Sequence, residues 1–147
     1  MATLDRFSIV EEQNFIIATR DTGYRTTASA VSELVDNALQ ASAKHVRIFV
    51  TEEGVGVDRN INLAVLDDGS GMNAGTLRTA LRFGGSSRFN DRSGQGRFGM
   101  ELPNSSVSQA RRLDVYTWQK PDDAVHSYID VDEIASGRMR EGAFPEK

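Results

Sequence analysis

Cysteine is absent from this chain of 147 residues, which excludes disulfides and thiolate-held metals. An excess of positive charge is absent as well. Seventeen Lys and Arg stand against 21 Asp and Glu, a net charge of −4, so bulk electrostatics gives no reason to expect DNA as a partner. No apolar run approaches the roughly 20 residues that a membrane-spanning helix needs. The stretch "MATLDRFSIVEEQ" carries no signal-peptide core. The expected location is therefore the cytoplasm, with no membrane partner. Internal repeats and low-complexity tracts are missing too. What is present, 26% charged and 39% hydrophobic residues, suits a globular domain, and the length leaves room for one sizeable core. We expect residues 1–147 to form a single domain.

Apolar periodicity supplies a coarse map. "FIIAT" reads as an edge strand or a turn of helix. Thr26, Thr27 and Ser29 offer N-cap hydroxyls to a helix over "SELVDNALQASA". "HVRIFVTEE" alternates Val46, Ile48 and Val50 against polar neighbours and predicts a half-buried strand. "GVGVDRN" predicts a turn, and the more continuously apolar "INLAVLDD" a central strand. A short helix is expected around "AGTLRTALRF" and another over "NSSVSQARR". "LDVYTWQ" and "AVHSYIDVDEI" are the last strand candidates. This order predicts an α+β fold, a two-layer α/β sandwich whose helices pack on one face of a mixed sheet.

Three stretches stand out. In the first, Glu33 and Asn37 lie four residues apart on one helical face with Asp36 beside them, and no Lys or Arg occurs from Ser29 to Ala43. Solvated acids would explain them in isolation. In the second, "LAVLDDGSGM", an apolar strand ends in Asp67 and Asp68 before two glycines. A plain Asp-Gly turn has that form, and so does a strand end that aims a carboxylate into a crevice. The third, "RFGGSSRFNDRSGQGRFGMELPNSS", combines glycines, hydroxyls and four arginines. Backbone N–H groups and guanidinium forks of that kind wrap phosphates, although a surface loop shares the composition. Its literal G-x-G-x-x-G at Gly94, Gly96 and Gly99 follows polar "RFNDRS". A dinucleotide-binding fingerprint must directly follow an apolar strand, so that reading has little support. The arginines at 78, 82, 88, 92 and 97 suit a phosphate-facing or solvated role better than a patch for nucleic acid.

Taken in order, "ELVDNA", "DDGSGM" and "GRFG" after a Gly/Ser-rich lid resemble the GHKL ATPase superfamily of gyrase-type topoisomerases, heat-shock chaperones, MutL proteins and histidine kinases. The resemblance runs from about Thr26 to Ser106. It points to the Microrchidia and MutL-like branch, and it implies a Bergerat-type ATP-binding fold. It further implies that Asn37 holds Mg²⁺ through its amide oxygen and that Glu33 is the general base for water attacking ATP, with Asp36 orienting its neighbours. Asp67 would accept the adenine amino group from a buried position. Gly69 and Gly71 would let the backbone lie against the base, and Met72 would pack on it. Gly96, Arg97, Phe98 and Gly99 would meet the phosphates, assisted by Ser86, Ser87 and Arg88.

The implied activity is Mg²⁺-dependent ATP hydrolysis that closes the lid and drives homodimerisation within a larger machine. ATP and ADP would be the ligands, and a downstream domain or partner protein the client. The alternatives are a non-hydrolysing, nucleotide-gated interaction module and a histidine-kinase-type catalytic domain. Two departures from the family pattern bear on this. Glu101 stands at the third glycine of the lid motif, which predicts poor lid closure, slow hydrolysis and similar affinity for ADP and ATP. Many relatives complete the site with a lysine from a following domain, so we expect the chain to be the N-terminal part of a longer protein.

Overall fold

The helix over the first stretch begins where a side chain replaces a missing backbone partner. Thr26 is extended, and its hydroxyl accepts the Ser29 N–H at 3.1 Å. This N-cap satisfies one of the four donors that a helix leaves open at its start, a contribution of about 1 kcal/mol. In the computed structural model, which describes residues 12–22, 26–82, 98–139 and 146–147, this is α2, Thr27–Gln40. It is preceded by α1, Glu12–Thr22. The "FIIAT" piece lies within α1 and is helical, with Ile16 fully buried.

Next come β1, Val46–Glu53, and β2, Asn60–Asp67, antiparallel in full register from Val46 opposite Asp67 to Glu53 opposite Asn60. A 3-10 turn, Gly56–Asp58, joins them. Asn73 accepts the Thr76 N–H at 2.8 Å and starts α3, Ala74–Ala80. Helix α4, Phe98–Gln109, begins well before the expected "NSSVSQARR" and contains the buried Pro103. Strand β3, Arg112–Thr117, pairs antiparallel with β4, Val125–Asp130. The last strand candidate ends earlier than its apolar pattern suggests. The Asp130 carboxylate accepts the Glu133 N–H at 3.0 Å, and this cap turns "VDEI" into α5, Val131–Ala135.

Alternation along β4 sorts its two faces. Val125, Ser127 and Ile129 are buried, whereas His126, Tyr128 and Asp130 face outward. The inner face meets Ile16 of α1, Leu77 and Leu81 around α3, Val107 of α4 and Val131 of α5 in one apolar core. Full burial of a side chain such as Leu77 is worth about 1.5–3 kcal/mol. The helices thus cover one face of this sheet, as the α+β reading requires. The outer face stacks Tyr116 on its cross-strand partner His126, with ring centroids 4.3 Å apart. Arg112 lies over the Tyr128 ring at 4.1 Å.

One expectation is modified. The described strands form two separate antiparallel pairs where a single mixed sheet was anticipated. Strand β2, expected to be central, is paired with β1 alone among the described residues and is largely exposed there. The register explains its pattern. Val46, Ile48 and Val50 share a face with Val65, Leu63 and Ile61, and Ile48, Val50 and Ile61 are all about half exposed or more. That face has no cover among the described residues.

Candidate functional site

Glu33 and Asn37 sit one turn apart on α2, and both are half-buried. Ala30 and Ala38 anchor the buried side of the helix. The amide oxygen of Asn37 is buried and has no hydrogen-bond partner among the described residues. An unsatisfied buried acceptor costs about 1–3 kcal/mol, so this oxygen is available to a ligand or to a partner outside the described residues. A neutral, hard oxygen donor of this kind suits a hard divalent cation.

The C-terminal corner of α2 carries the turn that follows β2. Ser70 N donates to Ala41 O at 2.9 Å. A Cβ on Gly69 would stand 2.9 Å from both the Ala41 Cβ and the Ala41 carbonyl oxygen, so only glycine permits this approach. Gly71 has a φ of +64°, and a Cβ there would collide with the carbonyl of Trp118. Asp67 closes the strand end by accepting the Gly69 N–H at 2.8 Å through Oδ1. It is exposed among the described residues, which corrects the expectation of a buried carboxylate.

Met72 is partly buried against the apolar core, and its N–H donates to Thr117 Oγ1 at 2.8 Å. Thr117 is buried at the end of β3. Sequence reasoning passed over this threonine, because a hydroxyl at a strand end has no local signature and its partner is 45 residues away. The structure therefore brings together the corner of α2, the turn Asp67–Met72 and the ends of β2 and β3. Asp68 is held there by the Lys44 and His45 N–H groups at 2.7 and 2.8 Å, and by His45 Nδ1 at 2.7 Å. The His45 N–H, the His45 ring and the Lys44 N–H together keep the Asp68 carboxyl far below the usual carboxylate range. Holding Asp68 is the role of His45 in the fold.

Ser86, Ser87, Arg88, Gly96 and Arg97 lie outside the described residues. Phe98 and Gly99 open α4, and Glu101 lies in its first turns. Glutamate adopts helical backbone without strain. A conformational penalty for replacing glycine at position 101 therefore does not arise. Among the described residues, no group of three or more His, Cys, Asp or Glu is arranged to hold a metal. No described helix is long and apolar enough to cross a membrane.

Residues 24–142 match the family described as histidine kinase-, DNA gyrase B- and HSP90-like ATPase. Among curated relatives, the DNA mismatch repair protein MutL of Syntrophomonas wolfei is 26% identical over 113 residues, covering 73% of this chain and 18% of that protein. MutL of Bacillus licheniformis is 41% identical over 64 residues, 44% of this chain and 9% of that protein. MutL of Halobacterium salinarum is 43% identical over 67 residues, 46% of this chain and 9% of that protein. The matched part of this chain spans less than a fifth of each of these relatives.

Proposed function

The chain belongs to the histidine kinase-, DNA gyrase B- and HSP90-like ATPase family, and from that premise we propose that residues 1–147 are one ATP-binding domain that hydrolyses ATP with Mg²⁺. The observation that carries this reading is the buried amide oxygen of Asn37, without a partner among the described residues and one helical turn from Glu33. Asn37 would hold the metal through Oδ1. Magnesium bound with the triphosphate would neutralise part of its charge and orient it.

The remaining roles belong to the chain. Glu33 takes the proton from the attacking water, a contribution of about 10²–10⁴-fold for a well-placed base. Asp67 has Oδ1 engaged by its own turn, which orients the carboxylate to accept the adenine amino group. Guanine presents a carbonyl at that edge and would leave the carboxylate unpaired. Gly69 and Gly71 keep side chains out of the turn that faces the base. Phe98 and Gly99, with Gly96, Arg97, Ser86, Ser87 and Arg88, complete the phosphate side. Nucleotide-driven closure, homodimerisation and coupling to a downstream domain complete the proposal. The MutL relatives are named as mismatch-repair proteins, and a part in DNA transactions would reach this chain through such a downstream partner.

Calorimetry and turnover measurements on three variants test this reading. Glu33→Ala keeps Mg²⁺-ATP affinity within a few-fold and loses turnover. Asn37→Ala loses the Mg²⁺-dependent part of the affinity. Asp67→Ala removes a charge-assisted bond of about 1.5–3 kcal/mol and weakens ATP binding about tenfold or more. Equal binding of GTP and ATP, or undiminished turnover in Glu33→Ala, would refute the assignment.

A further inference from the structure

Two of the residues assigned above belong to different elements, Asn37 to α2 and Asp67 to β2. A nucleotide that touches both needs them at a fixed separation, because a misplacement of about 1 Å can cost about 10²-fold. We propose that Asp68 is the positioning residue that sets this separation, clamping the strand end that reads the base to the corner of the helix that holds the metal. The inference rests on the nucleotide-binding reading and assigns a role that reading leaves open.

Successive side chains at a strand end point to opposite sides, so Asp67 and Asp68 can serve different purposes. Asp68 Oδ1 accepts both the Lys44 and His45 N–H groups, and Oδ2 takes His45 Nδ1 at 2.7 Å. The Asp68 N–H donates in turn to His45 O at 3.3 Å. Two consecutive backbone donors facing one carboxylate form a charge-assisted seat, stronger than neutral hydrogen bonds. The load path is short. Ala41 N donates to Asn37 O at 3.0 Å, and Ala41 O accepts Ser70 N at 2.9 Å. Gly69 is pressed against Ala41. Ser70 and Gly69 hold the turn directly to Ala41, while Asp68 holds it to Lys44 and His45, a segment tied back to the helix by the Ala43 N–H donating to Ala38 O at 3.0 Å.

The consequence is specific to a two-point ligand. Without the clamp a nucleotide still meets Asp67 or the metal side, but not both in register. Affinity measured without Mg²⁺ is then little changed, and the additional affinity conferred by Mg²⁺ is what disappears.

The test is calorimetric titration of the full-length protein with ATP, with and without Mg²⁺. The variants are Asp68→Ala, Asp68→Asn and His45→Ala, and thermal unfolding confirms that each is folded. In Asp68→Ala the Mg²⁺-conferred gain falls about tenfold, while Mg²⁺-free affinity stays within about threefold. Asparagine keeps an oxygen for the Lys44 and His45 N–H groups, so Asp68→Asn restores most of the gain. His45→Ala leaves both backbone contacts intact and keeps it. Equal loss with and without Mg²⁺ in Asp68→Ala would reduce Asp68 to a merely structural residue and overturn the role. An unchanged gain in that variant, or no rescue by asparagine, would overturn it as well. Absence of ATP binding by the unaltered protein would overturn the proposed function itself and this role with it.

Discussion

At position 71 a methyl group would point into the carbonyl of Trp118, where the backbone already turns with a φ of +64°. An alanine there carries about 1–2 kcal/mol for left-handed backbone, and the collision adds to it. Gly71→Ala is therefore destabilising by more than about 2 kcal/mol, measured as a lower urea midpoint at unchanged slope. Gly75 is the control. Among the described residues its added Cβ would meet only Asn73 Oδ1, at 3.5 Å, at the start of helix α3, so Gly75→Ala is neutral or stabilising by about 0.5–1 kcal/mol. A Gly71→Ala variant as stable as Gly75→Ala would contradict the close approach to Trp118. Gly69 and Gly71 could be recognised from the sequence because a turn at a strand end needs them locally. Thr117 and Asp68 could not, since their partners lie 45 and 23 residues away. The exposure of Asp67 was equally hidden, because it depends on which strands pair.

Elements with their own start signals were readable. Thr26 marks the first turn of α2, and Asn73 that of α3. Where apolar pattern was the only guide, the ends shifted. The run through "YIDVDEI" reads as strand, yet Asp130 caps a helix inside it. The cross-strand contact of His126 with Asp114 was hidden for the same reason as Thr117, since the two lie 12 residues apart. Asp114 takes a bidentate contact from Arg112 at 2.9 and 3.1 Å, and it lies 2.9 Å from His126 Nε2. The Arg112 guanidinium is the main cause that holds the Asp114 carboxyl below its ordinary value of 3.8, and His126 adds to it. A carboxyl held below its unfolded value adds stability that is present above pH 3.8 and is lost as the pH falls towards the folded value. The unaltered protein should thus exceed Asp114→Asn in stability at about pH 5, and the gap should shrink as the pH is lowered below 3.8. Urea titrations in the two pH ranges check this, and a gap of equal size in both would exclude Asp114 as the source.

For the whole molecule, the α+β class and the helices on one sheet face followed from the order of apolar patterns. The division into two antiparallel ladders did not, because sheet order is decided by contacts between distant segments. The nucleotide cycle belongs to this scale too. Unit charges about 4 Å apart repel by about 4 kcal/mol at an effective dielectric of about 20. A carboxylate at Glu101 close to the phosphates would disfavour ATP more than ADP. Glu101→Gly should therefore raise ATP affinity about tenfold with a smaller gain for ADP, and should promote ATP-dependent dimerisation seen by sedimentation. Equal gains for both nucleotides, or none, would mean that Glu101 points away from the site. The β1–β2 hairpin has a further consequence, for handling the protein in solution. Ile48, Val50, Ile61 and Leu63 on its apolar face are exposed among the described residues, and the mutual repulsion of molecules bearing a net charge of −4 opposes self-contact there. That repulsion is short-ranged in salt, about 10 Å at 0.1 M, and salts excluded from protein surfaces strengthen apolar contact. Colloidal stability is thereby tied to low ionic strength and to a pH well above the isoelectric point of 5.2.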